Sequence, residues 1–175
     1  MEVMIRRAVA CDYEAVQAFY DQLADDLEKE PYHPCWRKGV YPDEAYLRGA
    51  IASGDLWLAE VQGRVAASMV VNAQANEGYL QGNWNTDARP GEYGVIHTLG
   101  VGTAYRRRGI GRQMILHALH LSAAAGCKAV RLDLIDHNLP AAPVYTRMGF
   151  CCCGSVRLFY DAVGWQTFHL FEYVL

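Results

Sequence analysis

The chain has 175 residues, and its 16 Lys and Arg against 19 Asp and Glu give a formal net charge of -3 at pH 7. That length fits one domain with a sizeable core, and the balance of charges provides no global positive field for nucleic acid or an anionic membrane. Three of the six cysteines are adjacent, at residues 151–153, which argues against a disulfide framework or a CxxC zinc site. We therefore predict a single domain over residues 1–175, with reduced thiols, no metal ion and no nucleic-acid or membrane partner.

The amino terminus bears on where the protein works. Residues 1–15, MEVMIRRAVACDYEA, lack the basic start, apolar stretch and small-residue cleavage site of a signal peptide. No apolar run approaches the roughly 18 residues that a membrane span needs. We predict a cytoplasmic protein.

The first half of the chain predicts a strand, two helices and a hairpin. An apolar stretch at residues 3–8 favours a strand, and the apolar spacing within residues 12–30 predicts a helix, which two prolines then end. A second helix is predicted over residues 42–53. The apolar stretches LWLAEV and VAASMVV are joined by Gln62 and Gly63, a pattern typical of a β-hairpin.

The second half begins with the polar, glycine-rich residues 72–91, which show no periodic pattern. A loop of that length inside a compact domain usually has a functional role or is mobile. Beyond it the sequence predicts strands at residues 95–101, 130–135, 151–160 and 165–175, and helices at residues 109–126 and 140–148. The interleaved elements indicate an α/β layered domain with a mixed sheet.

One segment, RRRGIG at residues 106–111, joins a predicted strand to a predicted helix. A helix amino terminus presents unpaired backbone N–H groups and a partial positive charge, and glycines let ligand oxygens approach the backbone. Arginines add forked donors suited to phosphate. The third glycine of GxGxxG is missing and no GxxxxGK[ST] occurs, which disfavours a dinucleotide fold or a P-loop. The segment predicts a diphosphate site, and the alternative is a solvated basic turn.

Three ordered motifs resemble the GNAT superfamily of N-acetyltransferases. Arg106, Gly109 and Gly111 match the pattern [QR]xxGxG/A, and Leu99-Gly100-Val101 ends the preceding strand. Residues 138–150, NLPAAPVYTRMGF, match NxxAxxxYxxxGF. The resemblance implies a GNAT-like mixed, mostly antiparallel sheet with helices on both faces and a splayed central strand pair.

The same resemblance implies that acetyl-CoA is the co-substrate and that no metal is used. The coenzyme A phosphates are expected at the arginine and glycine segment, and the pantetheine arm along the strand before it, with backbone groups making most of the contacts. The implied cofactor-binding residues are Leu99, Gly100, Val101, Arg106, Arg107, Arg108, Gly109, Ile110, Gly111, Arg112, Asn138, Ala141 and Tyr145.

Tyr145 occupies the position of the family's usual general acid. Transfer from a thioester expels a thiolate, which a positioned phenol can protonate or hydrogen-bond. The alternative is that Tyr145 only packs against the cofactor. Pro143 departs from the family pattern, because a proline so close to a helix start removes a donor and can move the first turn between Asn138 and Tyr145.

The resemblance points to His97 as the general base. The position two residues before Leu99 often carries a carboxylate in the family, and a histidine there can accept a proton near neutral pH, directly or through water. The alternative is a hydrogen-bonded core histidine on a strand. Glu92 and Glu77 are the other candidates.

Three aromatic residues are candidates for the acceptor pocket. Trp36 and Tyr41 belong to the segment WRKGVYP, which is similar to one found in a bacterial subset of GNAT proteins, and Trp84 lies in the long polar loop. The alternative is an aromatic patch that covers the core. The acidic stretch of residues 21–30 favours a small cationic amine as the acceptor, although charge runs of this type are usually solvated helix faces.

These residues together predict an enzyme that moves the acetyl group of acetyl-CoA onto a primary amine of a small molecule or peptide by direct attack in a ternary complex. The competing hypothesis is a non-catalytic module that senses acyl-CoA. Candidates for both acid and base favour the enzyme. The apolar carboxyl-terminal stretch FHLFEYVL is a candidate for strand pairing across a homodimer.

Overall fold

The computed structural model describes residues 2–175 and contains seven strands and four α-helices within them. In chain order these are β1 (Met4–Arg7), α1 (Tyr13–Leu27), α2 (Glu44–Ala52), β2 (Leu56–Val61), β3 (Arg64–Asn72), β4 (Tyr93–Val101), α3 (Ile110–Ala124), β5 (Ala129–Ile135), α4 (Ala142–Thr146), β6 (Cys151–Tyr160) and β7 (Gly164–Val174). Short 3-10 turns lie at Ala10–Asp12, Glu77–Gln81, Thr103–Tyr105 and Asp136–Ala141. The predicted order of helices and strands is confirmed.

The strands form one sheet in the order β1-β2-β3-β4-β5-β7-β6. β1 with β2, β2 with β3, β5 with β7 and β6 with β7 are antiparallel, and β4 with β5 is parallel. The parallel register pairs Tyr93–Val95 with Ala129–Arg131, and both strands continue well beyond it. The prediction of a mixed, mostly antiparallel sheet is confirmed.

The residues group into two compact units. One combines the segment ending at Pro31 with Trp36–Val71 and His97–Leu116. The other combines Tyr32–Cys35, Asn72–Ile96 and His117–Leu175. The single domain over residues 1–175 stays a prediction.

In the first unit, helix α1 buries one face in an apolar cluster. Its buried side chains Val16, Tyr20 and Leu23 follow helical spacing, so one stripe of the helix is removed from water. Asp43 caps the start of helix α2, where its carboxylate accepts a 2.8 Å hydrogen bond from the backbone N–H of Tyr46. The packed α1 stripe places Tyr20 and Leu23 beside the carboxyl half of β4.

In the second unit, a buried ion pair orders the loop that showed no sequence pattern. Arg131 Nε donates to Glu172 Oε1 at 2.9 Å, and both side chains are almost fully buried. The guanidinium lies 4.1 Å from the ring centroid of Trp84 and 4.0 Å from that of Tyr93. Glu172 also accepts from the backbone N–H groups of residues 85 and 86. A buried charge needs this density of partners, and the loop supplies them.

The position of strand β7 in the sheet excludes the predicted strand pairing across a homodimer. It lies between β5 and β6, so its backbone groups are already paired on both sides. Pairing of FHLFEYVL across a dimer is therefore wrong, because an interior strand has no free edge. The edge strands are β1 and β6.

Across residues 2–175, no helix is both long enough and apolar enough to span a membrane.

Candidate functional site

The predicted phosphate segment forms a tight turn between β4 and α3. After β4, the N–H of Gly102 donates to Ala66 O at 2.9 Å, and Thr103 Oγ1 donates to Asp26 Oδ2 at 2.5 Å. Helix α3 then begins at Ile110, whose side chain is buried and anchors the first turn. A helix start fixed in this way holds its first N–H groups in one direction, which suits an anion.

Glycine is needed at Gly109 because of the backbone conformation. Gly109 has φ +78, a region that side chains rarely adopt, and no atom lies within 4 Å of the position that a Cβ would take. Gly111 has ordinary helical φ, and its Cβ would contact only Val101 at 3.4 Å. The first turn of α3 is thus open on this side.

The three arginines of the segment have different surroundings. Arg106 Nη1 donates to Glu30 Oε1 at 3.1 Å in an ion pair that is partly exposed on both sides. Arg107 has φ 61, and the side chains of Arg107 and Arg108 are exposed. Arg106 therefore has a protein partner, and it would have to exchange Glu30 for phosphate to take the predicted role.

Strand β4 contains a strained residue next to the predicted base. Thr98 has φ 48, which is a rare conformation for a β-branched residue. The hydroxyl of Tyr20 donates to Thr98 O at 2.9 Å in a buried hydrogen bond. His97, directly before it, is half-buried. Because Thr98 interrupts the regular strand geometry, it sets the direction of the backbone on both sides of it.

We expect Tyr20→Phe to lower the free energy of unfolding by about 1 to 2 kcal/mol, because Thr98 O would be left without its buried donor. Burial raises the pKa of the Tyr20 phenol, so this contribution is complete below a pH of about 10 and is lost as the pH rises further. Urea unfolding at neutral pH measures the change. Tyr13→Phe on the same helix is the control, since its hydroxyl bonds the partly exposed Gln17. Equal costs for the two variants would contradict the prediction.

Tyr145 lies on α4 among aromatic rings. Its ring centroid is 6.0 Å from that of Phe150 and 6.2 Å from that of Phe171. Burial, and after it the negative charge of Asp133, raise the pKa of Tyr145 to about 12. The phenol is therefore protonated at every working pH, as a general acid must be before it reacts.

Asp133 accepts two phenol hydrogen bonds near Tyr145. The hydroxyls of Tyr79 and Tyr160 both donate to Asp133 Oδ2, at 2.9 and 2.7 Å. We call Asp133, Tyr79 and Tyr160 the Asp133 cluster. Nothing in the sequence marks the cluster as a site, because Asp133 fits the alternating pattern of a strand and its tyrosines come from distant segments.

The family of the chain follows from its match to a known protein family. The sequence profile of the acetyltransferase (GNAT) family matches residues 13–150. The chain belongs to the GNAT acetyltransferase family.

Similar proteins agree with this assignment. A streptothricin acetyltransferase from Streptomyces lavendulae is 31% identical over 75 residues, which cover 43% of this chain and 40% of that enzyme. A GNAT acetyltransferase structure from Streptococcus agalactiae superposes with a TM-score of 0.79 at 18% identity, covering 99% of this chain and 95% of that one. Arabidopsis thaliana NAA60 in complex with acetyl-CoA gives 0.68 at 23% identity, with 99% of both chains covered. The structures show the shared GNAT fold, and the curated matches span between 24% and 41% of the relatives' length.

Residues 99–101, the predicted pantetheine contacts, alternate in burial at the end of β4. Leu99 and Val101 are half-buried, whereas Gly100 is buried between them. A Cβ on Gly100 would lie 2.6 Å from Leu23 and 3.1 Å from Trp36, so glycine is required for close packing against α1.

The second GNAT motif includes the departure at Pro143. Asn138 has non-helical φ and ψ of -110 and 16 within the 3-10 turn Asp136–Ala141, and Ala141 precedes α4. Pro143 lies in the first turn of α4, where its missing N–H has no intrahelical partner to lose. The proline is accommodated, and Tyr145 follows it within the short helix.

The aromatic acceptor candidates make structural contacts. Trp36 packs edge-on against Tyr20 with ring centroids 5.7 Å apart, and Tyr41 lies 5.3 Å from Tyr46. Trp84 Nε1 donates to the backbone carbonyl of residue 79 at 2.6 Å, and its ring lies over Arg131. These contacts account for the three residues by packing, and their role toward an acceptor stays a prediction.

The remaining base candidates are Glu92 and Glu77. The backbone N–H of Arg89 and then the Lys128 ammonium lower the pKa of Glu92. A carboxylate held in this way is a weak proton acceptor. Glu77 is exposed in the first turn of a 3-10 helix. Within residues 2–175, no three His, Cys, Asp or Glu side chains come together as a metal site.

Proposed function

We propose that this GNAT chain transfers the acetyl group of acetyl-CoA to a primary amine by direct attack in a ternary complex. The observation that carries the proposal is the turn before α3, where Gly109 adopts φ +78 and the first helical turn is left open. This geometry suits a diphosphate approached by backbone N–H groups. The match of residues 13–150 to the acetyltransferase family supports coenzyme A as the carrier of that diphosphate.

The proposed cofactor contacts follow the GNAT motifs. Residues 106–112 hold the phosphates through backbone N–H groups and arginine side chains, and Leu99–Val101 offer backbone groups to the pantetheine amides. Asn138 and Ala141 complete the set. The Arg107 and Arg108 side chains, which lie at the surface, are proposed to contact the adenosine-side phosphate.

The proposed chemistry divides proton transfer between two side chains. His97 accepts the proton that the amine nitrogen loses as its lone pair forms the new C–N bond. Tyr145 donates its hydroxyl proton to the sulfur as the C–S bond breaks. The raised pKa of Tyr145 keeps that proton in place until a thiolate develops beside it.

His97→Ala should lower kcat/KM by about tenfold at pH 8, a moderate effect because water can replace the base. The wild-type rate should fall as the pH drops, because a protonated imidazole cannot accept the proton of the amine. The variant should lose this acidic limb, so its deficit is largest at high pH. Rate profiles of both proteins test this, with His120→Ala, an exposed position on α3, as the control. An acidic limb with the same midpoint in the variant would assign the base role elsewhere.

The competing candidate is a module that binds acyl-CoA without turnover. It shares the phosphate turn and needs neither His97 nor Tyr145. A broad panel of amines scored by coenzyme A release separates the two functions and identifies the acceptor. Thiol release that depends on amine supports the enzyme, and tight acetyl-CoA binding without release with any amine supports the sensor.

The working context follows from the same proposal. We propose a cytoplasmic enzyme that acts on a small-molecule or peptide amine and needs no metal ion. Undiminished turnover after treatment with a chelator is the expected result, and loss of activity that zinc restores would contradict it.

A further inference from the structure

The Asp133 cluster lies at the one residue of β5 that is not fully buried. Asp133 is half-buried, whereas the other residues of β5 are buried. Tyr79 is buried and Tyr160 is half-buried, and the hydroxyls of both donate to Asp133 Oδ2. Asp133 is therefore the point at which β5 keeps a carboxylate in partial contact with solvent.

The two phenols stabilise the charged form of Asp133. Hydroxyls that donate to a carboxylate favour its ionised state. The charge acts on its neighbours, since Asp133 contributes, after burial, to the raised pKa of both Tyr79 and Tyr145. The Asp133 cluster is therefore an oriented anion with aromatic surfaces beside it.

We propose that the Asp133 cluster binds an ammonium group of the acceptor, and that the acceptor carries a second amine in addition to the one that is acetylated. The inference rests on the proposed acetyl transfer and names its substrate class. An ammonium donates short, charge-assisted hydrogen bonds to a carboxylate, and the faces of phenol rings attract cations. The half-buried Asp133 supplies the carboxylate, and Tyr160 beside it supplies the phenol ring.

The bound amine is not the one that attacks. A neighbouring carboxylate favours the protonated form of an amine, and a protonated amine has no lone pair for the thioester carbonyl. Asp133 therefore serves as an anchor, and the free amine at the other end of the acceptor reacts. The net charge of -3 is in keeping with a cationic acceptor.

The charged residues nearest to Asp133 in sequence have partners of their own, so ammonium binding is assigned to Asp133. Two residues earlier on β5, Arg131 is held by Glu172 and lies between two aromatic rings. Three residues later, Asp136 bonds His169 Nε2 at 2.8 Å and is largely exposed. The charges of Arg131 and Asp136 are thus paired with residues outside the Asp133 cluster.

The test compares two acceptors of equal length, a four-carbon diamine and the amino alcohol that replaces one amine by a hydroxyl. The wild-type protein should acetylate the diamine with a kcat/KM about tenfold higher, as expected for one desolvated charge pair. Asp133→Asn should reduce this preference to about twofold or less, mainly through KM. Asparagine keeps an oxygen that accepts from both tyrosine hydroxyls, so the fold and the Kd for acetyl-CoA should be preserved.

Asp136→Asn is the matched control, because it removes an equal charge three residues away and should keep the diamine preference. A retained preference in Asp133→Asn overturns the inference. A fall in kcat at unchanged KM, with a shifted pH profile, also overturns it and makes Asp133 a proton acceptor.

A binding measurement separates this inference from the proposed function. If the wild-type protein acetylates neither amine, the broad amine panel still tests acetyl transfer, and calorimetric titration of the same two compounds tests the site. Diamine binding that is tighter than that of the amino alcohol, and that Asp133→Asn abolishes, supports the ammonium site. Equal binding of both compounds refutes it.

Discussion

Tyr145→Phe should lower kcat by about a hundredfold or more while the Kd for acetyl-CoA stays within about twofold. Phenylalanine keeps the ring that packs against Phe150 and Phe171, so the aromatic cluster is preserved. The change removes only the hydroxyl that donates a proton to the departing sulfur. Paired measurement of kcat and of the cofactor dissociation constant tests the prediction with an amine that proves active.

Tyr173→Phe provides the matched control for Tyr145. The Tyr173 ring touches the same Phe150, with centroids 5.4 Å apart, and the proposed chemistry assigns it no role. We expect its kcat to stay within about twofold of the wild-type value. If Tyr145→Phe also retains kcat within about threefold while chemistry limits the rate, Tyr145 is a packing residue.

Gly111→Trp should weaken acetyl-CoA binding by about a hundredfold or more, because the indole would occupy the space that the phosphate oxygens need at the first turn of α3. The backbone at Gly111 accepts a side chain, since an added Cβ meets only Val101 at an ordinary contact distance of 3.4 Å. Calorimetric titration with acetyl-CoA measures the loss, and circular dichroism checks that the variant is folded.

Two controls accompany this substitution. Gly111→Ala adds only the tolerated Cβ and should cost about threefold or less in affinity. Gly49→Trp introduces the same indole on an exposed face of α2, where no atom lies within 4 Å of the added Cβ, and should leave binding unchanged. Wild-type affinity in a folded Gly111→Trp protein would remove the phosphate assignment from this turn.

Helices and strands were predictable because their signals are local. The apolar spacing of α1 and the hairpin of β2 and β3 depend on residues close in sequence, and both elements form where they were expected. The predicted positions of helix ends were less accurate, since α1 ends at Leu27 rather than near residue 30. The last turn of a helix depends on the residues that pack against it, and the sequence does not show which residues these are.

Long-range pairings were not predictable in the same way. Arg106 read as a phosphate ligand, yet the structure pairs it with Glu30, which is remote in sequence. The strand order also had to come from the fold, because nothing in FHLFEYVL says that β7 is inserted between β5 and β6. Charge and strand pairing across such separations depend on which segments the core brings together.

The sequence by itself determined the family, which a match over residues 13–150 shows. It also determined the turn before α3, because a glycine that can adopt positive φ, here Gly109, and a helix start are properties of a few consecutive residues. Only the tertiary structure decided that Asp133 is half-buried and accepts hydrogen bonds from Tyr79 and Tyr160. These three side chains come from a loop and two strands. Their meeting, and with it the anionic site, follows from packing that no local pattern encodes.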